Sequence, residues 1–363
     1  MIEKLIASIV LLSTLIGCKS EGKNVSEEDK ATVQKAPVVV KRSQLLQPQQ
    51  DTLMILGDQL PLALNFKNEV PISVEASLNG GDRKSIDLTS GRTELPTSGG
   101  IIGDNRYVLD LVYPDSTRER VSVSFQLLSN FTPEQKTYQV VNVYPHNEGS
   151  FTQGLFYHGG RMYEGSGQEG KSALRAYDLQ SGKIFREVYI PPEYFGEGIA
   201  LLGDVIYQLT YKAKKILLYT ADTFTQMGER PWKSEGWGLT TDGEVLIVSD
   251  GSAYLYFLDP VSMVEKSKVK VSDGKRFVLR LNELEYIDGK VFANVWESDS
   301  IISIDPLSGQ VETFMDLRGI LPGYSADQQR SKVLNGIAYL PEKNSLLVTG
   351  KEWPQMFEIK IQP

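Results

Sequence analysis

The chain is poor in the residues that disulfide and metal chemistry require. Among 363 residues there are one cysteine, Cys18, and two histidines, His146 and His158. A lone cysteine allows no intramolecular disulfide. Two histidines, without a free thiol, are too few to assemble the His and carboxylate cluster of a catalytic zinc site, so no metal is assigned to the chemistry. Long basic runs are also missing. With 38 Lys and Arg against 46 Asp and Glu the net charge is −8, and only short clusters such as the one from Lys212 to Lys215 stand out, so nucleic acid is not an expected partner. The apolar run that ends at Gly17 is too short for a membrane span.

That run does have the form of a secretory signal, with a charged start at Glu3 and Lys4. Leu15-Ile16-Gly17-Cys18 resembles a bacterial lipoprotein signal, which implies cleavage after residue 17 and a lipidated Cys18 as the new N-terminus. The expected location is the bacterial cell envelope, exported and held to the membrane through Cys18. Residues 18–36 are polar and charged and read as a tether.

Residues 37–130 consist of short alternating segments separated by turn residues. Ile72 to Ala76 alternates ahead of Asn79-Gly80-Gly81-Asp82, and Tyr107–Tyr113 with Val121–Leu128 flank Pro114-Asp115-Ser116-Thr117 as a hairpin. This is the size and pattern of a small immunoglobulin-like β-sandwich without its disulfide. Residues 131–137 read as a linker.

From residue 138 to 363 a pattern repeats: one polar or aromatic side chain, Gly or Glu, then Leu or Ile. The copies are Gln153-Gly154-Leu155, Glu197-Gly198-Ile199, Trp237-Gly238-Leu239, Asn282-Glu283-Leu284 and Asn335-Gly336-Ile337, spaced by 44, 40, 45 and 53 residues. Such a period fits four-stranded propeller blades. The fold expected is all-β, a five-bladed β-propeller preceded by the sandwich. Tyr138–Tyr144 has no partner in the first blade and is assigned to the edge of the last, beside Met356–Ile359, closing the ring. Equivalent positions of the innermost strands then bring Gln153, Glu197, Trp237, Asn282 and Asn335 to one ring. Unequal chemistry at equivalent places suggests a site, with the alternative that these groups satisfy backbone atoms along a wet channel. A structural cation on carbonyl oxygens along the axis stays open.

The ordered set Tyr144-Pro145-His146, Phe151-Thr152-Gln153-Gly154-Leu155, Phe195-Gly196-Glu197-Gly198, Gln208-Leu209-Thr210, Glu235-Gly236-Trp237-Gly238-Leu239, Leu281-Asn282-Glu283-Leu284-Glu285-Tyr286, Ala293-Asn294-Val295-Trp296 and Thr349-Gly350-Lys351 with Trp353-Pro354 resembles the plant-type glutaminyl-peptide cyclotransferases. The resemblance runs through about residues 138 to 363. It implies a propeller enzyme acting on peptides and proteins that begin with glutamine, with Glu197, Lys351 and Asn282 as catalytic residues and Phe151, Gln153, Trp237 and Trp296 as substrate-binding residues. Tyr211 stands where the family usually has Trp, and Asn147-Glu148-Gly149 replaces a more usual Asp-Pro step.

The implied reaction is an intramolecular attack of the α-amine on the side-chain amide, so the first task is to hold the reactive conformer. The amine, with a pKa of about 8, must be neutral to attack, and ammonia leaves only after gaining a proton. Glu197, the one acid among the five ring positions, is suited to both transfers, with Lys351 and Asn282 as donors to the oxyanion. Lys351 is expected to take Glu197 as its charge partner. Trp353 is assigned to packing and His146 to ordering the Tyr-Pro-His turn. The rival readings are a non-catalytic propeller that binds peptide or glycan at the cell surface and, less suited to this donor set, a lactonase or lyase. A monomer is expected.

Overall fold

The computed structural model describes residues 41–323 and 332–362, which belong to one compact unit. The signal-like residues, Cys18 and the tether lie outside the described residues. Every regular element described is a strand.

The first eight strands are β1 (Ser43–Gln47), β2 (Leu53–Ile55), β3 (Gln59–Phe66), β4 (Ser73–Leu78), β5 (Lys84–Ser85), β6 (Arg92–Pro96), β7 (Gly103–Val112) and β8 (Arg118–Leu128). They form two sheets, β1-β3-β6 and β2-β8-β7-β4-β5, the latter with β2 parallel to β8. Along β7 the residues alternate between buried and more open positions, as a sheet with one face on a core demands. Leu60, Leu62 and Leu64 from one sheet pack with Leu109, Leu111, Val123, Phe125 and Leu127 from the other in a single apolar cluster.

A long strand, β9 (Glu134–Pro145), follows. Antiparallel meanders come next, each of four strands or three. The first is β10 (Thr152–His158), β11 (Arg161–Ser166), β12 (Ala173–Tyr177) and β13 (Ile184–Tyr189). The second is β14 (Gly196–Leu202), β15 (Val205–Thr210), β16 (Lys215–Thr220) and β17 (Gln226–Pro231). The third is β18 (Leu239–Thr241), β19 (Leu246–Ser249), β20 (Tyr254–Leu258) and β21 (Glu265–Lys270). The rest form one eight-stranded sheet in which β22 (Leu281–Ile287), β23 (Lys290–Val295), β24 (Ser300–Ile304) and β25 (Val311–Asp316) are joined through β9 to β28 (Gln355–Gln362), β27 (Ser345–Gly350) and β26 (Leu334–Leu340).

β9 is the joint. Its first residues, Glu134 to Lys136, pair in parallel with Thr313 to Met315, and its remainder runs antiparallel to β28, with Met356 opposite Tyr144. The expected closing strand is therefore present. The expected linker is shorter than residues 131–137, because residues 134–137 already belong to this strand. The joint is fastened by Glu358, buried between the strands, which accepts hydrogen bonds from Tyr144 Oη (2.6 Å), Asn142 Nδ2 (2.7 Å), Lys343 Nζ (2.9 Å) and Ser345 Oγ (2.9 Å). These four donors outweigh the cost of burial and hold its carboxyl at about 2.

The first strands of the meanders touch in a cycle: β10 on β14, β14 on β18, β18 on β22, β22 on β26, and β26 on β10. The glycines of the repeat permit this approach. A Cβ on Gly154 would lie 2.4 Å from Ile199 N, one on Gly198 2.5 Å from Leu239 N, and one on Gly238 1.8 Å from Asn282 O. Where the repeat has Glu283 instead, its carboxylate does the joining, accepting from Leu155 N (3.1 Å) and Ile337 N (2.9 Å). Burial, with Glu285 nearby, pushes the Glu283 carboxyl well up, and burial pushes Glu285 up to about 8.

The N-terminal sheets sit against this ring. Tyr254 Oη donates to Asp104 at 2.7 Å, Lys270 Nζ lies 3.5 Å from the same carboxylate, and Ser129 N donates to Ser272 Oγ at 3.1 Å.

Candidate active site

Two registers of the meander supply the side chains at one end of the ring. The first is the residue before the Gly or Glu in four of the five repeats, which gives Gln153, Glu197, Trp237 and Asn282. The second is the residue that follows the second strand. β11, β15, β23 and β27 end at Ser166, Thr210, Val295 and Gly350, which pair with Thr152, Gly196, Leu281 and Leu334 at the mouths of the first strands. The next residues, Tyr211, Trp296 and Lys351 among them, are thereby delivered to the same end. Together they line a cavity of about 440 Å³, bounded by Phe151, Gln153, Phe195, Glu197, Tyr211, Trp237, Asn282, Trp296, Val333 and Lys351. All seven side chains singled out for catalysis or binding in the sequence meet there.

The wall is an arc of aromatic rings, each edge-on to the next: Phe151 to Phe195 (6.0 Å between centroids), Phe195 to Tyr211 (5.9 Å), Tyr211 to Trp237 (6.5 Å) and Trp237 to Trp296 (5.6 Å). Edge-to-face contacts of this kind stabilise by about 0.5–1.5 kcal/mol each beyond burial, so the wall is stiff before anything binds. Trp237 Nε1 donates to Glu235 Oε2 at 3.3 Å, and the Arg280 guanidinium lies 5.5 Å from the Trp296 ring.

Within the wall sit two buried ionisable groups. Glu197 is 5 % exposed, and burial pushes its carboxyl well above the ordinary range; Lys351 draws it down and Glu235 raises it further. Lys351 is equally buried, and desolvation lowers it against the pull of Glu197. Among the described residues no ion pair within 4.0 Å joins them. The expected salt bridge is thus an interaction at longer range, because the Lys351 ammonium rests over the Phe151 ring, 4.7 Å from its centroid. Asn282 is buried with its Oδ1 unpartnered. A carboxyl and an ammonium, each desolvated and each free of a direct partner, can move a proton and stabilise a negative oxygen in the space between them.

Asn335 departs from the expected ring. It does not line the cavity; its Nδ2 donates to Thr152 O (2.9 Å) and Gln153 Oε1 (3.1 Å), so it orients Gln153 from behind. Trp237 precedes β18 and Trp296 follows β23, so neither lies within a strand as expected. Trp353 is packed in the apolar cluster with Phe357. The sequence reading left Phe195, Tyr211 and Val333 off the lining. Register would have found them: Phe195 and Val333 stand two residues before Glu197 and Asn335, as Phe151 does before Gln153, and Tyr211 shares the strand-end position of Trp296 and Lys351. Among the described residues no group of three or more His, Cys, Asp or Glu is arranged to hold a metal ion.

Meanders closed around an axis, with an aromatic cavity at one end, define a propeller-like all-β protein. The glutamine cyclotransferase family profile matches residues 117–361, beginning within the last turn before β8 and so some way before the resemblance in the sequence. The glutaminyl-peptide cyclotransferase of Arabidopsis thaliana is 39% identical over 229 residues, which is 62% of this chain and 71% of that one. The crystal structure of Myxococcus xanthus glutaminyl cyclase matches with a TM-score of 0.59 at 31% identity, covering 63% of this chain and 98% of that one. The chain belongs to the glutamine cyclotransferase family and is an enzyme.

Proposed function

We propose that this chain is a five-bladed propeller, carrying an immunoglobulin-like sandwich at its N-terminal side, that converts the N-terminal glutamine of peptides or proteins to pyroglutamate with release of ammonia. The observation that carries the reading is the convergence of Glu197, Lys351 and Asn282 inside one aromatic-walled cavity. The rings hold the glutamine so that its α-nitrogen faces its own side-chain carbonyl carbon. Glu197, as carboxylate, takes a proton from the attacking amine. The new C–N bond forms, and the carbonyl oxygen becomes an oxyanion beside the Lys351 ammonium and the Asn282 amide. Glu197 then gives its proton to the former amide nitrogen, the C–N bond to that nitrogen breaks, and ammonia leaves. The raised proton affinity of Glu197 suits this shuttle, since acid-base catalysis is most efficient when donor and acceptor are closely matched.

The pH profile follows from the two directions of shift. As pH falls below the raised value of Glu197, the carboxyl keeps its proton and cannot accept another; as pH rises above the lowered value of Lys351, the ammonium is lost. Turnover therefore peaks between them. Too few zinc ligands exist in the sequence for a catalytic zinc site, so activity is expected to persist in zinc-selective chelators. The deciding experiment is incubation of the chain with a Gln-initiated peptide, reading ammonia and the peptide mass. No ammonia would reject the activity in favour of a binding propeller. Export and lipid anchoring at Cys18 belong to the same proposal; Cys18→Ser is expected to leave the detergent phase, and an unmodified wild-type Cys18 would reject it.

A further inference from the structure

The segment that carries Phe151 and Gln153 to the cavity is fastened to the segment that carries Lys351 by a buried polar cluster which the proposed chemistry does not use. Glu352 N donates to Ser150 O at 2.8 Å, and His146 N donates to Pro354 O at 2.9 Å. The His146 ring, with its side chain wholly buried, makes three further contacts: Nδ1 lies 2.7 Å from Trp353 O, and Nε2 lies 3.2 Å from Glu164 Oε1 and 3.5 Å from Thr152 Oγ1. Ser150 Oγ and Thr152 Oγ1 donate to the same Oε1, so one carboxylate oxygen gathers His146 and the two residues flanking Phe151. The Trp353 carbonyl and the Glu164 carboxylate only accept, and Thr152 Oγ1 spends its single hydrogen on Glu164 Oε1 at 2.7 Å rather than on Nε2, so both ring nitrogens carry hydrogen, and a ring with both is an imidazolium.

The surroundings agree with that charge. Facing the cluster are Glu164 of β11 and, from β12, Arg175 and Tyr177; Arg175 is itself paired with Glu187 and donates to Ser150 and Ser166. Burial opposes the imidazolium and Arg175 weakens it, but the Glu164 carboxylate and the Trp353 carbonyl prevail, and His146 titrates above its ordinary value. Burial likewise opposes the Glu164 charge, yet His146, Ser150 and Thr152 hold that carboxyl at about 2.

We propose that His146, kept as a buried imidazolium on Glu164, is a positioning residue for the cyclisation: it clamps the Trp353 carbonyl to the Ser150–Thr152 segment and so sets the Lys351 ammonium against the Phe151 ring. This rests on the cyclotransferase reading of the site. Its pH sense is fixed by the raised value: the clamp is complete below the value of an unfolded histidine and is lost as pH rises through the folded one.

With two histidines in the chain, nitrogen-15 NMR of the histidine-labelled full chain, assigned with His158→Gln, reads the ring directly and needs no substrate. Both nitrogens of His146 are expected to be protonated at neutral pH, and a neutral tautomer would overturn the proposal. In kinetics on a Gln-initiated peptide, His146→Gln is expected to lower kcat about tenfold to a hundredfold, the range of a displaced reacting geometry, with a smaller change in KM. Glu164→Gln should move to lower pH the part of the alkaline loss of kcat that follows His146, and leave in place the part that follows the Lys351 ammonium. If either variant fails to fold, the wild-type chain still decides: its kcat should fall as the imidazolium signal titrates, and an unchanged kcat across that titration would overturn the role. A wild-type chain that releases no ammonia while its imidazolium is intact would instead reject the cyclotransferase reading, and the kinetic role with it.

Discussion

The N-terminal sheets and the ring both bury apolar clusters, and they differ in how much polar surface they bury with them. Between the two sheets the core is apolar, from Leu60 and Leu62 to Leu109, Leu111 and Phe125, and its one deeply buried acid, Glu119, accepts from Tyr113 Oη. In the ring, on first and second strands of the meanders, Gln208, Asn282, Asn294 and Asn335 each keep a buried polar atom without a partner among the described residues. Leaving such groups unpaired costs about 1–3 kcal/mol each. The ring therefore carries a cost that its core packing must offset, and one of these residues, Asn282, lines the cavity itself.

The contrast can be broken most sharply by exchanging the two kinds of damage. Glu197→Gln is expected to lower kcat by about two to four orders of magnitude, the worth of a general acid-base group, with no loss of thermal stability. Leu109→Ala, which empties a fully buried position, should cost about 2–5 kcal/mol of stability and leave the kcat of folded molecules alone. Parallel melts and ammonia-release kinetics test both, and a destabilised Glu197→Gln or a catalytically impaired Leu109→Ala would dissolve the contrast.

Lys351→Met should lower kcat by about a hundredfold to a thousandfold, as for removal of an oxyanion donor, while raising stability by on the order of 1 kcal/mol, because a desolvated charge gives way to an apolar chain. An unchanged or lowered melting temperature would count against it. Gly238→Ala joins the two regions of behaviour. Its Cβ would meet Asn282 O at 1.8 Å, so a loss of about 1–3 kcal/mol should come with reduced kcat as Asn282 is displaced; normal turnover would show that Asn282 tolerates the shift.

The smallest effect is expected from removing the N-terminal sheets. A chain beginning at Thr132 keeps all of β9 and loses the Asp104–Tyr254 and Ser129–Ser272 hydrogen bonds. At about 1 kcal/mol each, this should lower the melting temperature by several degrees with kcat unchanged. A large loss of kcat would show that the sheets brace the cavity through β20 and β21.

The sequence made the ring legible because the constraint at each inner strand is local and repeated: a small residue where strands approach, an aliphatic one behind it. The same regularity brought Glu197 and Asn282 together, whereas Lys351 joined them only through the family resemblance. It did not disclose side-chain reach. Asn335 occupies a ring position yet turns to Thr152 and Gln153, and Lys351 settles on the Phe151 ring rather than on Glu197, outcomes decided by distances of a few ångström between elements remote in the chain. Residues 134–137 escaped notice for a related reason. Glu-Gln-Lys-Thr has no alternating apolar pattern, and its strand exists because β25 offers a free edge. Tyr211 and Phe195 were within reach of sequence reasoning, had register at the strand ends been followed as closely as the repeat itself.

The Glu358 fastening has a consequence for how the molecule comes into being. Tyr144 and Glu358 are separated by 214 residues, and each lies in a strand that needs the other. Synthesis therefore delivers β9 long before β28 exists, and even once β25 has emerged to pair with Glu134–Lys136, the rest of β9 carries an unpaired edge until β28 is made. Native contacts of such high sequence separation slow folding and prolong exposure to aggregation. A ribosome-bound nascent chain that stops before β28 would thus be the vulnerable form of this enzyme, and a chaperone that shields β9 in that interval would raise its yield without touching the finished protein.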